Sequence, residues 1–362
     1  MEGPRAPTSQ EWNTVVNFLN QHLRPNGQWS IAHEYPTAIT PTNLGNVRII
    51  AEGGKVLSHA VLKPLILRSP ATLLKIGAVG SVVTDPAHRG QGLSSQILQA
   101  CLAEAQNQDC DIAVLWTNIY DFYRRLDFEL AGAEDSVVLQ DEFVIPTQGL
   151  KMMKGNAVSP EAIHRLYSQH TVGSVRTVED IRKFLSIPQS TLYTAWDAQG
   201  QLAAYAVEGK GIDLSGYLHE WGGSVSKLLS LFAWIRQEKK SPITVICGRQ
   251  SRNLVSALKT LPGSVHNEGY LGMIKIVKMD QLLQKIHKMA KSLGLPNLVL
   301  EHREDGFHLG VGENVVQFPD EKDLVRVIFG PFPEIPFLTP PTVAALERIL
   351  PLPVWIWGWD SI

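Results

Sequence analysis

The run Ser81-Val82-Val83-Thr84-Asp85-Pro86-Ala87-His88-Arg89-Gly90-Gln91-Gly92-Leu93-Ser94-Ser95 passes from a β-rich segment through a loop holding an arginine and two glycines, straight into a helical repeat. Each part suits an anionic ligand. Glycines let the backbone approach closely, the first N–H groups of a helix have no internal partner, and the helix dipole puts partial positive charge at that end. A pyrophosphate is the natural guest, with Arg89 adding a full charge beside it. A turn that only caps a helix would use the same residues, so the loop alone leaves both readings open.

Working outward, Leu73 to Val83 reads as a strand, and Leu93 to Gln106 as a helix with Leu93, Ile97, Leu98, Cys101, Leu102 and Ala105 on one side. Upstream, Trp12 to Leu23 spaces Trp12, Val15, Val16, Leu19 and Leu23 as one helical face and stops at Pro25 and Gly27. Val47 to Ala51 and Val56 to Leu67 form a hairpin across Gly53-Gly54, with Pro64 interrupting the second run. Downstream, the strand Ile112 to Trp116, the helical stretch Tyr120 to Leu126 and a strand around Val137 to Leu139 close one mixed α/β unit near residue 150.

From Ser159 a similar order begins again. Helices at Pro160 to His170 and Val178 to Leu185 precede strands at Thr191 to Trp196, Leu202 to Val207 and Gly216 to Trp221. Helix Val225 to Glu238, strand Ile243 to Cys247, helix Arg252 to Leu261 and strand Leu271 to Val277 complete a second domain of the same architecture. A helix from Gln281 to Leu293, short strands at Leu298 to Leu300, Gly306 to Val311 and Val315 to Phe318, and a helix from Asp320 to Phe329 make a third α+β unit of about 80 residues, near the lower limit for folding alone. A Pro-rich tail follows, ending Trp355-Ile-Trp-Gly-Trp-Asp-Ser-Ile362 with apolar anchors at alternate positions.

Composition fits this division. The chain has 362 residues, more than one core usually serves, and a formal charge of -2, which argues against nucleic-acid binding through a bulk basic field. Its three cysteines, Cys101, Cys110 and Cys247, are spaced neither as zinc ligands nor as a disulfide framework. The cluster His302, Glu304, Asp305 and His308 has irregular spacing, and no metal is expected. The N-terminal residues lack a signal-peptide pattern, and no run is long and apolar enough for a membrane span, so the expected location is the cytoplasm.

Arg89-Gly90-Gln91-Gly92-Leu93-Ser94 resembles the R/Q-x-x-G-x-G/A signature of the GNAT (Gcn5-related N-acetyltransferase) superfamily, with Ser94 where Gly or Ala is usual. Phe122-Tyr123-Arg124-Arg125-Leu126-Asp127-Phe128 resembles the family's F-Y-x-x-x-G-F segment, with Asp127 in the glycine position. The layout of the whole chain is similar to that of enhanced-intracellular-survival (Eis) type acetyltransferases. The resemblance implies an α/β (α+β) fold of tandem GNAT-like mixed-sheet domains plus a small sterol-carrier-like α+β domain. It divides the chain into a catalytic domain at 1–150, a degenerate GNAT-like domain at 151–280 and the small domain at 281–362. Glu220-Trp-Gly-Gly-Ser-Val-Ser-Lys227 takes the loop's place in the second domain with no arginine before the glycines, so that half is expected to be structural.

The resemblance also implies acetyl-CoA as co-substrate and direct acetyl transfer to a primary amine. Main-chain groups of Ser81, Val82 and Val83 would hold the pantetheine arm and polarise the thioester, and the backbone of Arg89, Gly90, Gln91, Gly92, Leu93 and Ser94 would hold the phosphates. Tyr123 is the candidate acid, although a packed core tyrosine accounts for it as well. The carboxylate of Ile362 is the candidate base, although the tail would serve equally as a terminal strand. Glu34 is a candidate on the acceptor side, while His59 reads as structural. The partners implied are a small-molecule or lysine amine, with no nucleic acid and no membrane, and a homo-oligomer is admitted. Two other readings stay open: a tRNA-dependent aminoacyl or peptidyl transferase of the tandem-GNAT Fem type, and a non-catalytic CoA-binding regulatory module.

Overall fold

The helix read from Trp12 to Leu23 forms with those bounds as α1 (Trp12–Leu23), which buries Val15 and Leu19 of the expected face together with Phe18, while Trp12, Val16 and Leu23 are partly buried. The computed structural model describes residues 1–362 except 71, 148, 319 and 333–337. Beside α1 lie β1 (Glu2–Arg5), β2 (Val47–Glu52), β3 (Lys55–Arg68), β4 (Leu73–Thr84) and β5 (Ile112–Leu115), neighbours in chain order. Alternation along these strands sends Val47, Ile49 and Val61 toward α1, and Ile50, Ala60 and Leu62 toward the helix that follows the glycine loop. Pro64 does not interrupt β3. It pairs with Gly77 of β4 at a point where β3 has left β2, whose pairing ends at Val61, so the missing N–H costs no ladder bond on that side.

The chain next forms β6 (Glu129–Ala131) at the far edge of this sheet and then leaves it, giving β7 (Glu134–Leu139) to a second sheet. That sheet also takes β8 (Lys151–Lys154), while the two-residue β9 (Gly173–Ser174) pairs back onto the end of β3. With β10 (Thr191–Trp196), β11 (Leu202–Lys210), β12 (Asp213–Gly223), β13 (Ile243–Gly248) and β14 (Ser264–Gly269), its order is β14-β7-β13-β12-β11-β10-β8. β15 (Gly272–Ile276) returns to the first sheet and inserts between β5 and β6. The two sheets therefore exchange strands across residue 150: β7 precedes it and joins the second sheet, while β15 follows it and joins the first. A third sheet holds β16 (Leu298–Arg303), β17 (Gly306–Val311) and β18 (Asn314–Phe318).

The remaining helices are α2 (Ile31–Glu34), α3 (Leu93–Asn107), α4 (Tyr120–Arg124), α5 (Pro160–Tyr167), α6 (Val178–Phe184), α7 (Val225–Lys239), α8 (Arg252–Lys259), α9 (Met279–Ser292), α10 (Glu321–Phe329) and α11 (Pro340–Leu346). The last of these forms inside the Pro-rich tail, with prolines in its first turn where a missing N–H is harmless. Among the described residues no helix is long and apolar enough to cross a membrane.

The repeat read from the sequence is visible in one shared device. β4 and β5 run parallel over Ile76–Ala78 and Ile112–Val114, and β12 and β13 run parallel over Tyr217–Leu218 and Thr244–Val245. Beyond these short stretches neither pair is joined, so each sheet opens into a wedge. The helix leaving β4 is α3, and the one leaving β12 is α7.

Candidate active site

In the first sheet the wedge opens beside a distortion of β4. His59 pairs with Val83 and Val61 with Gly80, so Ser81 and Val82 together oppose Ala60, which is a β-bulge. Ser81 has φ 49°, a left-handed conformation uncommon for a residue with a side chain. Gly80, Ser81 and Val82 line one side of a cavity of about 360 Å³, and Leu115 and Trp116 line the other. Tyr123 and Ile362 also face it.

Further along the same strand the chain reaches the glycine loop. Gly90 and Gly92 have φ 78° and 76°, where a side chain would be strained, and the space around Gly90 is open. Among the described residues no hydrogen bond engages the N–H groups of Gly90 to Ser95. These free donors sit at the start of the 15-residue α3, where the dipole adds to their attraction for an anion. Arg89 is exposed beside them. Ser94 earns its hydroxyl by a chain of bonds to Thr84 Oγ1 at 2.8 Å and from there to Ser58 at 2.8 Å, which ties the helix start to β3 and β4.

Tyr123 lies on α4 with its ring edge-on to Phe122 and Phe128. Its residue is 6% exposed, and burial pushes the phenol up, which keeps it protonated. Tyr120, on the same short helix, is 40% exposed and does not line the cavity. Asp127, in the position where a glycine was expected, adopts φ 63° and pairs with Lys275, so the turn keeps its shape.

A profile of acetyltransferase (GNAT) domains matches residues 4–131, the segment that holds the wedge, the bulge and the loop. Residues 4–131 are a GNAT domain. The whole fold is shared with a GCN5-related N-acetyltransferase from Anabaena variabilis (17% identity, TM-score 0.67, 99% of each chain). It is shared also with Eis1 from Mycobacterium abscessus (12% identity, TM-score 0.61, 99% of each chain). A probable N-acyltransferase from Enterococcus faecalis is similar over 78% of this chain and 74% of its own, at 14% identity and TM-score 0.58. No curated protein matches. The chain carries a GNAT acetyltransferase domain within a tandem GNAT-like fold.

The second GNAT-like domain has its own wedge, and the tail fills it. Trp357 packs on Trp221 of β12 and donates its Nε1–H to Val172, while Trp355 lies against Gly248 of β13. Gly358 abuts the ring of His219 so closely that a side chain there would collide. Lys210 Nζ donates to the carbonyls of Gly358, Trp359 and Ser361 at 3.0, 3.1 and 2.5 Å. Asp360 accepts from Arg176, which also forks onto Glu220, and Lys63 lies 3.6 Å from Asp360. Threaded through one domain in this way, the tail delivers Ile362 to the cavity of the other. There it meets Gly80, where an added Cβ would lie 2.8 Å from the Ile362 carbonyl carbon.

Glu34 is not presented to the cleft. It is fully buried, accepts from Arg24 Nε at 2.9 Å and from Trp29 Nε1 at 2.5 Å, and is sealed by Gly211 of the second domain. A side-chain carboxylate that does line the cavity is Asp213, two residues past that glycine. Its side chain is 47% exposed, accepts from the Tyr35 hydroxyl and lies 3.4 Å from Arg24. Glu34 already pairs with Arg24, so Asp213 presents a carboxylate to the cavity, with Lys210 as its cross-strand neighbour. Of the polar cluster near residue 305, only His308 and Asp305 pair, at 2.9 Å. A closer group, Asp135, His266 and Glu268, gathers on β7 and β14, where His266 Nε2 lies 2.6 Å from Asp135 Oδ1.

Proposed function

We propose that this GNAT-fold protein transfers an acetyl group from acetyl-CoA directly to a primary amine, with the reaction in the cavity between Gly80–Val82 and Leu115–Trp116. The observation that carries the reading is the convergence there of the β4 bulge, the Tyr123 ring and Ile362, on the strand that leads into the open phosphate-binding loop. Acetyl-CoA supplies an activated acyl thioester. The free N–H groups from Gly90 to Ser94, with Arg89, fit its diphosphate, and the backbone of Ser81, Val82 and Val83 fits its pantetheine arm. Tyr123, kept protonated by burial, gives its proton to the leaving thiolate. In a chain ending at Ile362, the terminal carboxylate takes a proton from the amine.

Two features favour direct transfer and a cationic acceptor. All three cysteines are buried, and burial pushes Cys110 up to about 11 and Cys101 up to about 12, so no reactive thiolate is offered for a covalent acyl intermediate. Asp213 takes over the acceptor-side role expected of Glu34, drawing in an ammonium group. Neither the tRNA-dependent reading nor the regulatory one gains an observation of its own.

The test is thiol release from acetyl-CoA across a panel of amines. Tyr123→Phe should lower kcat by about 100-fold, the usual scale for a lost general acid, with CoA affinity by calorimetry unchanged. A phenylalanine variant as fast as the parent would remove Tyr123 from the mechanism.

A further inference from the structure

His59 reads from sequence as structural, yet its placement is unusual. It is fully buried, and its Nδ1 lies 2.8 Å from the carbonyl oxygen of Ser81, the residue at the distorted point of the bulge. A carbonyl only accepts, so Nδ1 carries the ring proton and donates it. Burial pushes the imidazole down to about 4, so that this one proton is the only one at working pH. The other nitrogen, Nε2, has no partner among the described residues. A buried polar atom left unpaired is destabilising, so stability alone would favour a leucine here.

The bond fixes more than an oxygen. Ser81 O and Val82 N belong to one peptide group, and the peptide between them is not among the cis bonds of the chain. In a trans peptide the C=O and N–H point in opposite directions. Holding the carbonyl on His59 therefore turns the Val82 N–H away from His59, and both Ser81 and Val82 line the cavity. His59 itself does not line it, which separates it from a group that touches substrate.

We infer that His59 is a positioning residue for acyl transfer: by gripping the Ser81 carbonyl it holds the bulge open and keeps the Val82 N–H aimed at the carbonyl of the bound acyl group. The inference rests on the acyl-donor reading above and adds a role that the donor's binding alone does not require. In the reaction, the amine nitrogen bonds to the acyl carbon, the C–S bond breaks and the thiolate leaves with a proton. The negative charge that collects meanwhile on the acyl oxygen is what the aimed N–H stabilises.

The experiment uses the full chain and acetyl-CoA labelled with ¹³C at the acetyl carbonyl. Binding to the parent should lower the infrared stretching frequency of that carbonyl, the mark of a hydrogen bond to it. His59→Asn, whose amide N–H₂ stands where Nδ1 does, should keep most of the shift and of kcat. His59→Leu should lose the shift and drop kcat by about 100-fold, the scale of one lost oxyanion donor, with acetyl-CoA affinity and thermal midpoint near the parent's. A leucine variant with the parent's shift and turnover would overturn the inference and leave the acetyltransferase reading standing. So would an asparagine variant that binds acetyl-CoA without the shift, which also decides the matter should the leucine variant not fold. If the parent itself fails to bind acetyl-CoA, the acyl-donor reading falls and takes this one with it.

Discussion

Gly80 shows how a single missing atom shapes the site. Its φ lies outside the left-handed region, so alanine would meet no backbone strain there. What it would meet is Ile362, whose C, Cγ1 and O would lie 2.8, 2.9 and 3.0 Å from the new methyl. The strand is paired and the tail tip is half-exposed, so the tip yields. Gly80→Ala is expected to cost under about 1 kcal/mol in a urea titration while lowering kcat by about tenfold or more, since small displacements of reacting groups are felt strongly. Parent-like turnover would mean that Ile362 has no task beside Gly80. The glycine loop was legible in sequence because its chemistry is local: free N–H groups, open backbone and helix start all fall within a few residues. Glu34 was misjudged for the opposite reason. Its accessibility is set by Gly211 of another domain, and no local pattern reports that. Asp213 was missed on the same ground, as a hairpin residue whose neighbours Tyr35 and Arg24 come from far up the chain.

At the scale of elements, the tail and the strands around the two wedges share a weakness toward acid. His59 on β3 and His170 just after α5 are each pushed down to about 4, and His219 on β12 to about 3, all by burial. His170 packs against Trp357, and His219 against Gly358, so two of the three clasp the tail. Unfolded histidine protonates near pH 6.5. As pH falls from 6.5 toward 5 the unfolded chain gains these protons and the native state does not, so stability falls by about 1.4 kcal/mol per pH unit for each ring. Glu134, pushed up to about 7 by burial, works the other way in this window, because there the native state holds the extra proton. The net expectation is a loss of about 3 kcal/mol per pH unit, large against a typical total of about 5–15 kcal/mol. Urea midpoints at pH 6.5, 6.0 and 5.5 measure it, and a flat series would show that the three rings are not held neutral. Sequence periodicity located these elements well, and the alternating tryptophans of the tail correctly signalled burial at Trp355, Trp357 and Trp359. It could not say that their pocket is the unused wedge of the second domain, because a repeat read in sequence carries no information on what fills it.

For the whole molecule, the exchange of β7 and β15 is the feature that sequence reading could least supply. An apolar run says that a strand is buried on its faces, and not which sheet it joins. Leu271 to Val277 was legible as a strand and was counted with the second domain by chain order, yet β15 lies between β5 and β6 of the first. It buries Met273, Ile274 and Ile276 to 0, 0 and 4% exposure. At about 1.5–3 kcal/mol for each such side chain, the inserted strand contributes about 4–9 kcal/mol, comparable to the stability of an entire domain. A fragment of residues 1–150 would lack it, and would leave the edge of β5 and the short β6 without the partner that joins them. It would also carry β7 with neither β13 nor β14 beside it, an exposed strand with two open edges. The fragment is therefore expected to be insoluble or unfolded by circular dichroism, although it contains the whole glycine loop and Tyr123. Supplying residues 271–277 after a flexible linker, with β7 removed, should restore a cooperative thermal transition and CoA binding without restoring turnover, since Ile362 is still missing. A freely folding 1–150 fragment would show that the exchanged strand is an ornament of the assembled chain, and that the first domain closes its wedge without help from the second.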